Sequence, residues 1–350
     1  MTTKTQPDPD SKLKAKDYAS DQEVRWCPGC GDYGILKSIQ KAFADMGILK
    51  HEVAVISGIG CSSRFPYYMD TFGFHTIHGR APAIATGVKL ANPDLSVWVA
   101  TGDGDGLSIG GNHFIHMLRR NVGLKVLLFN NRIYGLTKGQ YSPTSERGKV
   151  TRSSPDGSVD TPFNPLALAL GSQATFVARG FDIMSPHLQT IIKEAQGHEG
   201  TAFIEVYQNC NIFNDGAYEG LTDKKIRDDM LVHVEHGKPL IYGKDLDKGL
   251  IWTNNHLEAV KIGEFNDHLG REVQAEDVVV WDAKNPNPTL AFGLTQLREG
   301  IDPTPIGVLR AIEGHKSYET LVHEQLEQIQ AKKPARSIEE LLHSGKTWKV

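Results

Sequence analysis

The chain of 350 residues predicts an α/β fold, a doubly wound parallel sheet, on two observations. Short β-branched runs alternate with amphipathic stretches at the spacing of right-handed βαβ units, and a polar or glycine-bearing turn follows several of the runs. Hydrophobic residues make up 39% of the chain and charged residues 23%, enough for one large or two modest domains to bury a core unaided.

The elements follow in order. Residues 1–23 form a polar tail rich in Lys and Asp, without the apolar segment of a secretory signal. From Gly31 to Met46, the residues Ile35, Leu36, Ile39, Ala42, Phe43 and Met46 share one helical face, and Gly47 offers a left-handed stop. Glu52 to Ser57 reads as the first buried strand. Leu95 to Ala100, Leu124 to Phe129, Ala174 to Ala178 and Thr201 to Tyr207 repeat that pattern. Helices are expected at Arg80 to Ala91, with Pro82 in the first turn, at Leu107 to Arg120 and at Pro186 to Ala195. Gln140 to Phe163 is too rich in Ser, Pro and Gly for a regular element, and reads either as a surface loop or as a lid or subunit contact. Beyond residue 215 no motif stands out, although Ser317 to Leu342 has helical periodicity with many charges, as a solvated helix able to dock on a partner would.

Composition excludes some functions. A net charge of −4 gives no electrostatic reason to bind nucleic acid. No apolar run approaches the roughly 20 residues that cross a membrane. The chain therefore reads as cytoplasmic, where clustered cysteines bind metal more often than they form disulfides.

There are four cysteines, all beside turns: the pair in Cys27-Pro28-Gly29-Cys30, one in Gly58-Ile59-Gly60-Cys61, and Cys210 after Gln208-Asn209. Ligands of open parallel sheets gather at the carboxyl ends of the strands. Cys61, the run Gly102-Asp103-Gly104-Asp105-Gly106, the pair Asn130-Asn131 and Cys210 all fall at that edge. The glycines let backbone amides approach an anion, and Asp103 adds a hard oxygen that an anion alone would repel. A magnesium ion between them could take Asp103, Asn131, a nearby backbone carbonyl, two diphosphate oxygens and a water. The thiols fit a metal or iron–sulfur site. One close pair joined to two distant singles is unlike the two close pairs usual in zinc ribbons, which favours iron–sulfur over zinc.

Gly102-Asp103-Gly104 followed by Asn130-Asn131 resembles the thiamine diphosphate fingerprint. Together with the cysteine motifs, Gly58 to Ser63, His78-Gly79-Arg80 and Asn131 to Gln140, it makes residues 24–215 resemble the β subunit of the 2-oxoacid:ferredoxin oxidoreductases, most closely the 2-oxoglutarate form. The resemblance implies a thiamine diphosphate-binding domain of the pyrophosphate type at 24–215, with residues 216–350 as a C-terminal extension packing on that domain or on a partner.

Residue by residue, the resemblance implies one 4Fe-4S cluster on Cys27, Cys30, Cys61 and Cys210, and Mg2+ on Asp103, Asn131 and the carbonyl of Ile133. Ile59, Gly60, Cys61, Ser62, His78, Gly104, Asp105, Gly135 and Leu136 would line thiamine diphosphate. Arg64 stands where family members that accept 2-oxoglutarate face its distal carboxylate; the family can carry Lys there, and the planar fork of Arg suits a carboxylate. Lys138 stands at a position implicated in coenzyme A binding. On spacing alone His78 would be a hydrogen-bonded structural histidine, Arg64 a solvated surface arginine and Asp105 a helix cap. His113 and His116, three apart on an expected helix, lack a third ligand and read as packing or surface residues.

The implied reaction is oxidative decarboxylation of 2-oxoglutarate with coenzyme A to succinyl-coenzyme A and carbon dioxide, with electrons passing through the cluster to ferredoxin, and it is reversible in principle. Thiamine enzymes need a carboxylate against the aminopyrimidine ring. No Glu stands in a comparable motif here, and the family supplies it from an α subunit, implying an α2β2 assembly. The alternatives are a pyruvate-type or broader 2-oxoacid reaction and, outside catalysis, an iron–sulfur or zinc protein that carries electrons or serves as a scaffold.

Overall fold

The computed structural model describes residues 13–332, 336–346 and 348. Most of the expected tail therefore lies outside the described residues, but the 3-10 turn Ala15–Tyr18 is in place and Tyr18 is buried.

The chain runs through α1 (Asp32–Met46), β1 (Val53–Ser57), β2 (Phe72–His75), α2 (Ala81–Ala91), β3 (Ser96–Gly102), α3 (Asp103–Leu107), α4 (Gly111–Arg119) and β4 (Leu124–Asn130). After a long irregular loop come α5 (Pro165–Gly171), β5 (Phe176–Phe181), α6 (Ser185–Gly197) and β6 (Ala202–Tyr207). The last third holds α7 (Glu219–Thr222), α8 (Arg227–Met230), β7 (Leu231–Val234), β8 (Ile241–Tyr242), β9 (Lys248–Thr253), β10 (His256–Lys261), β11 (Phe265–Asn266), β12 (Arg271–Glu272), α9 (Thr289–Thr295), β13 (Thr304–Ala311), α10 (Tyr318–Lys332) and α11 (Ile338–Leu342). Among these described helices none is long and apolar enough to cross a membrane.

Eight strands form one sheet in the order β2-β1-β3-β4-β6-β5-β13-β7. Every pairing is parallel except that of β13 with β5. Both β7 and β13 come from beyond residue 215, so the last third of the chain extends this sheet. The central strands β4, β5 and β6 are buried along their whole length, as parallel strands covered on both faces must be. Helices pack over them in pairs, α1 with α6 and α2 with α4. Phe43 of α1 meets Trp98 of β3 with ring centroids 5.3 Å apart, and Phe114 of α4 meets Phe203 of β6 at 5.0 Å. Burying each such ring contributes roughly 2–3 kcal/mol.

Register aligns the carboxyl ends. Ser57 stands beside Ala100, Gly102 beside Phe129, and Asn130 beside Tyr207, which also faces Phe181. The residues that follow these ends, among them Gly58, Asp103, Asn131, Asp182 and Gln208, therefore emerge along one edge.

Three expected elements need correction. The helix expected at Leu107 to Arg120 is broken at Ser108–Gly110 into α3 and α4. There the amide of Gly110 reaches back to the carbonyl of Asp105, and the loop carrying Gly79 packs on the Gly110 backbone. The strand expected at Ala174 to Ala178 begins at Phe176 and runs to Phe181, because α5 ends late: Gln173 is left-handed (φ 62°) and the amide of Ala174 still bonds to Ala169. The stretch Ser317 to Leu342 forms two helices, with residues 333–335 between them outside the described residues. The start of α10 is tied down where the buried Glu319 accepts the amide of Gly123 at 2.9 Å.

Candidate active site

A cavity of about 460 Å³ opens at the carboxyl edge of the sheet. All the residues expected around thiamine diphosphate, from Ile59 to Leu136, border it, as do Asp103, Asn131 and Ile133. They arrive on four segments: the turn after β1, the loop before α2, α3 and the turn after β4.

Asp103 is buried at the start of α3. Its Oδ2 accepts the hydroxyls of Ser142 at 2.5 Å and Thr144 at 2.6 Å. Burial pushes its pKa up, and these hydroxyls and the Asn131 amide hold it back. The side chain of Asn131 is oriented at both ends: Oδ1 accepts the amide of Ile133 at 3.2 Å, and Nδ2 donates to Oε1 of Gln208 at 2.8 Å. Gly104 has no room for a side chain, since a Cβ there would lie 2.2 Å from the Tyr134 ring, whose hydroxyl bonds to the Gly104 carbonyl.

Asp105 borders the cavity but turns its carboxylate to the scaffold. Oδ1 accepts the amide of Gly79 at 2.7 Å and Oδ2 the hydroxyl of Thr101 at 2.9 Å. Gly79 must be glycine twice over: φ is 66°, and a Cβ would lie 2.4 Å from the backbone nitrogen of Gly110. His78, next in the same loop, stands exposed at the cavity rim. Ser62 is buried at the wall with no hydrogen-bond partner for its hydroxyl, an orphan donor beside an open volume.

The four thiols are free. Their three segments are laced together: the amide of Gly31 donates to the carbonyl of Asn209 at 3.1 Å, Asn211 Nδ2 to Pro28 at 2.6 Å, and Trp26 Nε1 to the carbonyl of Cys61 at 2.7 Å. Gly135 stands between two of them, where a Cβ would lie 3.6 Å from Cys210 Sγ and 3.7 Å from Cys61 Sγ. Burial, then the nearby Asp32 carboxylate, pushes the Cys61 thiol up to about 12 and the Cys30 thiol higher still. Asp32 is itself buried at the cavity wall, and burial raises its pKa to about 7. Neither of its oxygens makes a hydrogen bond of good geometry, although the Cys30 thiol partly offsets the burial. Among the described residues no three His, Cys, Asp or Glu side chains converge as a single-ion site would require.

Other expected residues lie further out. Arg64 does not border the cavity; its Nη1 donates to the carbonyl of Arg25 at 3.0 Å, and its charge counters the upward shift of Cys61. Lys138 is exposed in a left-handed turn (φ 75°) between the cavity residues Thr137 and Gln140. His113 and His116 are half-buried on α4.

Tyr134, Ser142, Thr144, Asp32 and Gln208 are site residues that sequence reasoning missed. Ser142 and Thr144 sit in the irregular segment read as a surface loop, a lid or a subunit contact, and their partner is 39 and 41 residues away. No spacing rule connects them.

Comparison with known proteins agrees with this geometry. Residues 58–206 match the family model described as thiamine pyrophosphate enzyme, C-terminal TPP binding domain. The chain is 48% identical over 347 residues to the 2-oxoglutarate oxidoreductase subunit KorB of Mycobacterium tuberculosis, covering 98% of this chain and 90% of that protein. It is 52% identical over 198 residues to 2-oxoacid:ferredoxin oxidoreductase 1, subunit beta, of Aeropyrum pernix, covering 57% of this chain and 62% of that one. In three dimensions it is similar to the 2-oxoglutarate:ferredoxin oxidoreductase of Magnetococcus marinus, solved with 2-oxoglutarate, coenzyme A and succinyl-CoA bound. The TM-score is 0.74 at 34% identity, over 96% of this chain and 97% of that one.

Proposed function

Because this chain belongs to the 2-oxoacid:ferredoxin oxidoreductase family as a β subunit, we propose that it works with an α subunit to oxidise and decarboxylate 2-oxoglutarate. Coenzyme A receives the succinyl group, carbon dioxide leaves and ferredoxin receives the electrons. The observation that carries this reading is one wall shared by two centres. Cys61 belongs to the thiol group and borders the same cavity as Asp103 and Asn131.

The residues fit the groups. Asp103, Asn131 and the carbonyl of Ile133 would hold Mg2+, whose charge would oppose the upward push that burial exerts on Asp103. The cavity wall from Ile59 to Ser62, with His78, Gly104, Asp105, Gly135 and Leu136, would hold thiamine diphosphate, and Ser62 brings a hydroxyl that has no partner within the chain. Bound there, thiamine diphosphate supplies the electron sink that decarboxylation of a 2-oxoacid requires. Cys27, Cys30, Cys61 and Cys210 would hold a 4Fe-4S cluster, whose thiolates each take a different iron. One close pair with two distant singles suits a cluster better than the two close pairs usual in zinc ribbons. Binding iron would strip protons from the Cys61 and Cys30 thiols, which burial keeps protonated. We assign both centres to residues 24–215, to whose sheet 216–350 add β7 and β13, and place the ring-activating carboxylate on the α subunit, in an α2β2 enzyme of the cytoplasm.

The test is anaerobic co-purification with the α subunit. Four irons with matching sulfide, bound thiamine and 2-oxoglutarate-dependent ferredoxin reduction are expected. A preparation with a cluster or zinc but no thiamine overturns the reading.

A further inference from the structure

Gln208 is buried, with 1% of its surface exposed, at the carboxyl end of β6, and it faces both centres. Its Oε1 accepts Nδ2 of Asn131 at 2.8 Å. Its Nε2 donates to the carbonyl of Asn209 at 2.5 Å and to Sγ of Cys30 at 3.3 Å, within reach for a sulfur acceptor. The amide cannot be reversed without setting its oxygen against the Asn209 carbonyl. The same holds for Asn131, whose oxygen accepts the Ile133 amide. One directional chain thus runs from the Ile133 amide through Asn131 and Gln208 to the Cys30 sulfur.

Resting on the ligand assignments proposed above, we infer that Gln208 is a positioning residue shared by the metal–diphosphate site and the iron–sulfur cluster. Toward Asn131, its oxygen holds the amide so that Oδ1 stays on the Ile133 side, where the ion would sit. A partner that orients a metal ligand typically contributes 10–100-fold to metal affinity. Toward Cys30, its N–H bonds to a sulfur that carries more negative charge when the cluster is reduced. Such a bond favours the reduced form and raises the reduction potential. Gln208 has no proton to titrate in the accessible range, so its effect is the same at every working pH.

The test uses the anaerobically purified αβ complex. Wild type, Gln208→Met and Gln208→Glu are compared for iron and sulfide content, for cluster midpoint potential by EPR-monitored redox titration, and for Mg2+ affinity by thiamine diphosphate fluorescence quenching. Gln208→Met fills a similar volume and removes the bonds to Asn131, Asn209 and Cys30; it is expected to keep its iron, move the midpoint to more negative potential and weaken Mg2+ binding about tenfold. Gln208→Glu keeps an acceptor for Asn131 but sets a charged oxygen against both the Asn209 carbonyl and the Cys30 sulfur, so the midpoint should move further in the same direction than in Gln208→Met while Mg2+ affinity falls less than in Gln208→Met. Iron-replete variants in which only one of the two properties responds to Gln208→Met, or neither, overturn the shared role and leave the ligand assignments standing. Wild type without iron, or without Mg2+-dependent thiamine diphosphate binding, overturns those assignments and the role of Gln208 with them.

Discussion

The carboxylate of Asp105 holds the amide of Gly79 at 2.7 Å, so a residue of the glycine-rich run after β3 carries the loop that presents His78. Its other oxygen holds Thr101, the penultimate residue of β3.

Asp105→Ala removes the acceptor of a buried amide and a buried hydroxyl, a loss of about 1–3 kcal/mol in stability. Thiamine diphosphate affinity should fall about tenfold or more, since the His78 loop loses its anchor. Asp105→Asn retains an oxygen for Gly79 and should lose much less of both. Thermal unfolding and cofactor titration check this; equal losses in the two variants would show that the carboxylate charge, not the tether, matters.

Arg64 rests on the Arg25 carbonyl outside the cavity, and as a hypothesis it leaves that contact for the distal carboxylate of the substrate. Arg64→Ala should raise KM for 2-oxoglutarate about tenfold or more and leave 2-oxobutyrate, which has no second carboxylate, within about twofold. Steady-state kinetics on both substrates decide it, and equal losses remove Arg64 from substrate selection.

Arg179 and Glu205 form a 2.7 Å ion pair on neighbouring strands β5 and β6, with the side chain of Glu205 wholly buried. Asn130 Nδ2 donates to the same carboxylate at 2.7 Å, which links the pair to the end of β4. Arg179→Met leaves that charge uncompensated and should lower unfolding stability by about 3–5 kcal/mol. Adding Glu205→Gln should recover part of the loss, read from denaturant midpoints. No recovery would mean that packing by Arg179, not its charge, is what the sheet requires.

His187, packed edge-on against His233, is held down to about 4 by burial and then by that neighbour. Between pH 6.5 and 4 the unfolded chain takes up the proton and the folded one does not, so this contribution is complete above pH 6.5 and is lost as pH falls toward 4. His187→Phe should flatten that part of the stability profile, by up to about 3 kcal/mol at pH 4. His198, lowered likewise, keeps its own share. An unchanged slope in chemical denaturation between pH 4 and 6.5 would contradict this.

Legibility differed by element for physical reasons. The strands ending at Ser57, Asn130 and Tyr207 were readable because unbroken apolar runs are what a doubly covered parallel strand requires. β2 was not: Phe72-Gly73-Phe74-His75 is a short, exposed edge strand with a glycine, and its two phenylalanines face out. The break between α3 and α4 is imposed by the distant Gly79 loop, which packs on Gly110, and leaves no local trace apart from glycines. In the site, Asp103, Asn131 and the cysteines announce their chemistry by residue type. Ser142, Thr144 and Gln208 are ordinary polar residues whose meaning lies in what the fold sets beside them.

The place of β13 has a consequence for biosynthesis. It leaves the ribosome after every other strand of this sheet, yet it lies inside the sheet, between β5 and β7. A nascent chain that has just released Cys210 already carries all four thiols while the edge of β5 is bare. At translation rates of about 5–20 residues per second, β13 follows roughly 5 to 20 s later. For that interval the cell holds an open strand edge, so protection from pairing with other chains must last until β13 has been made.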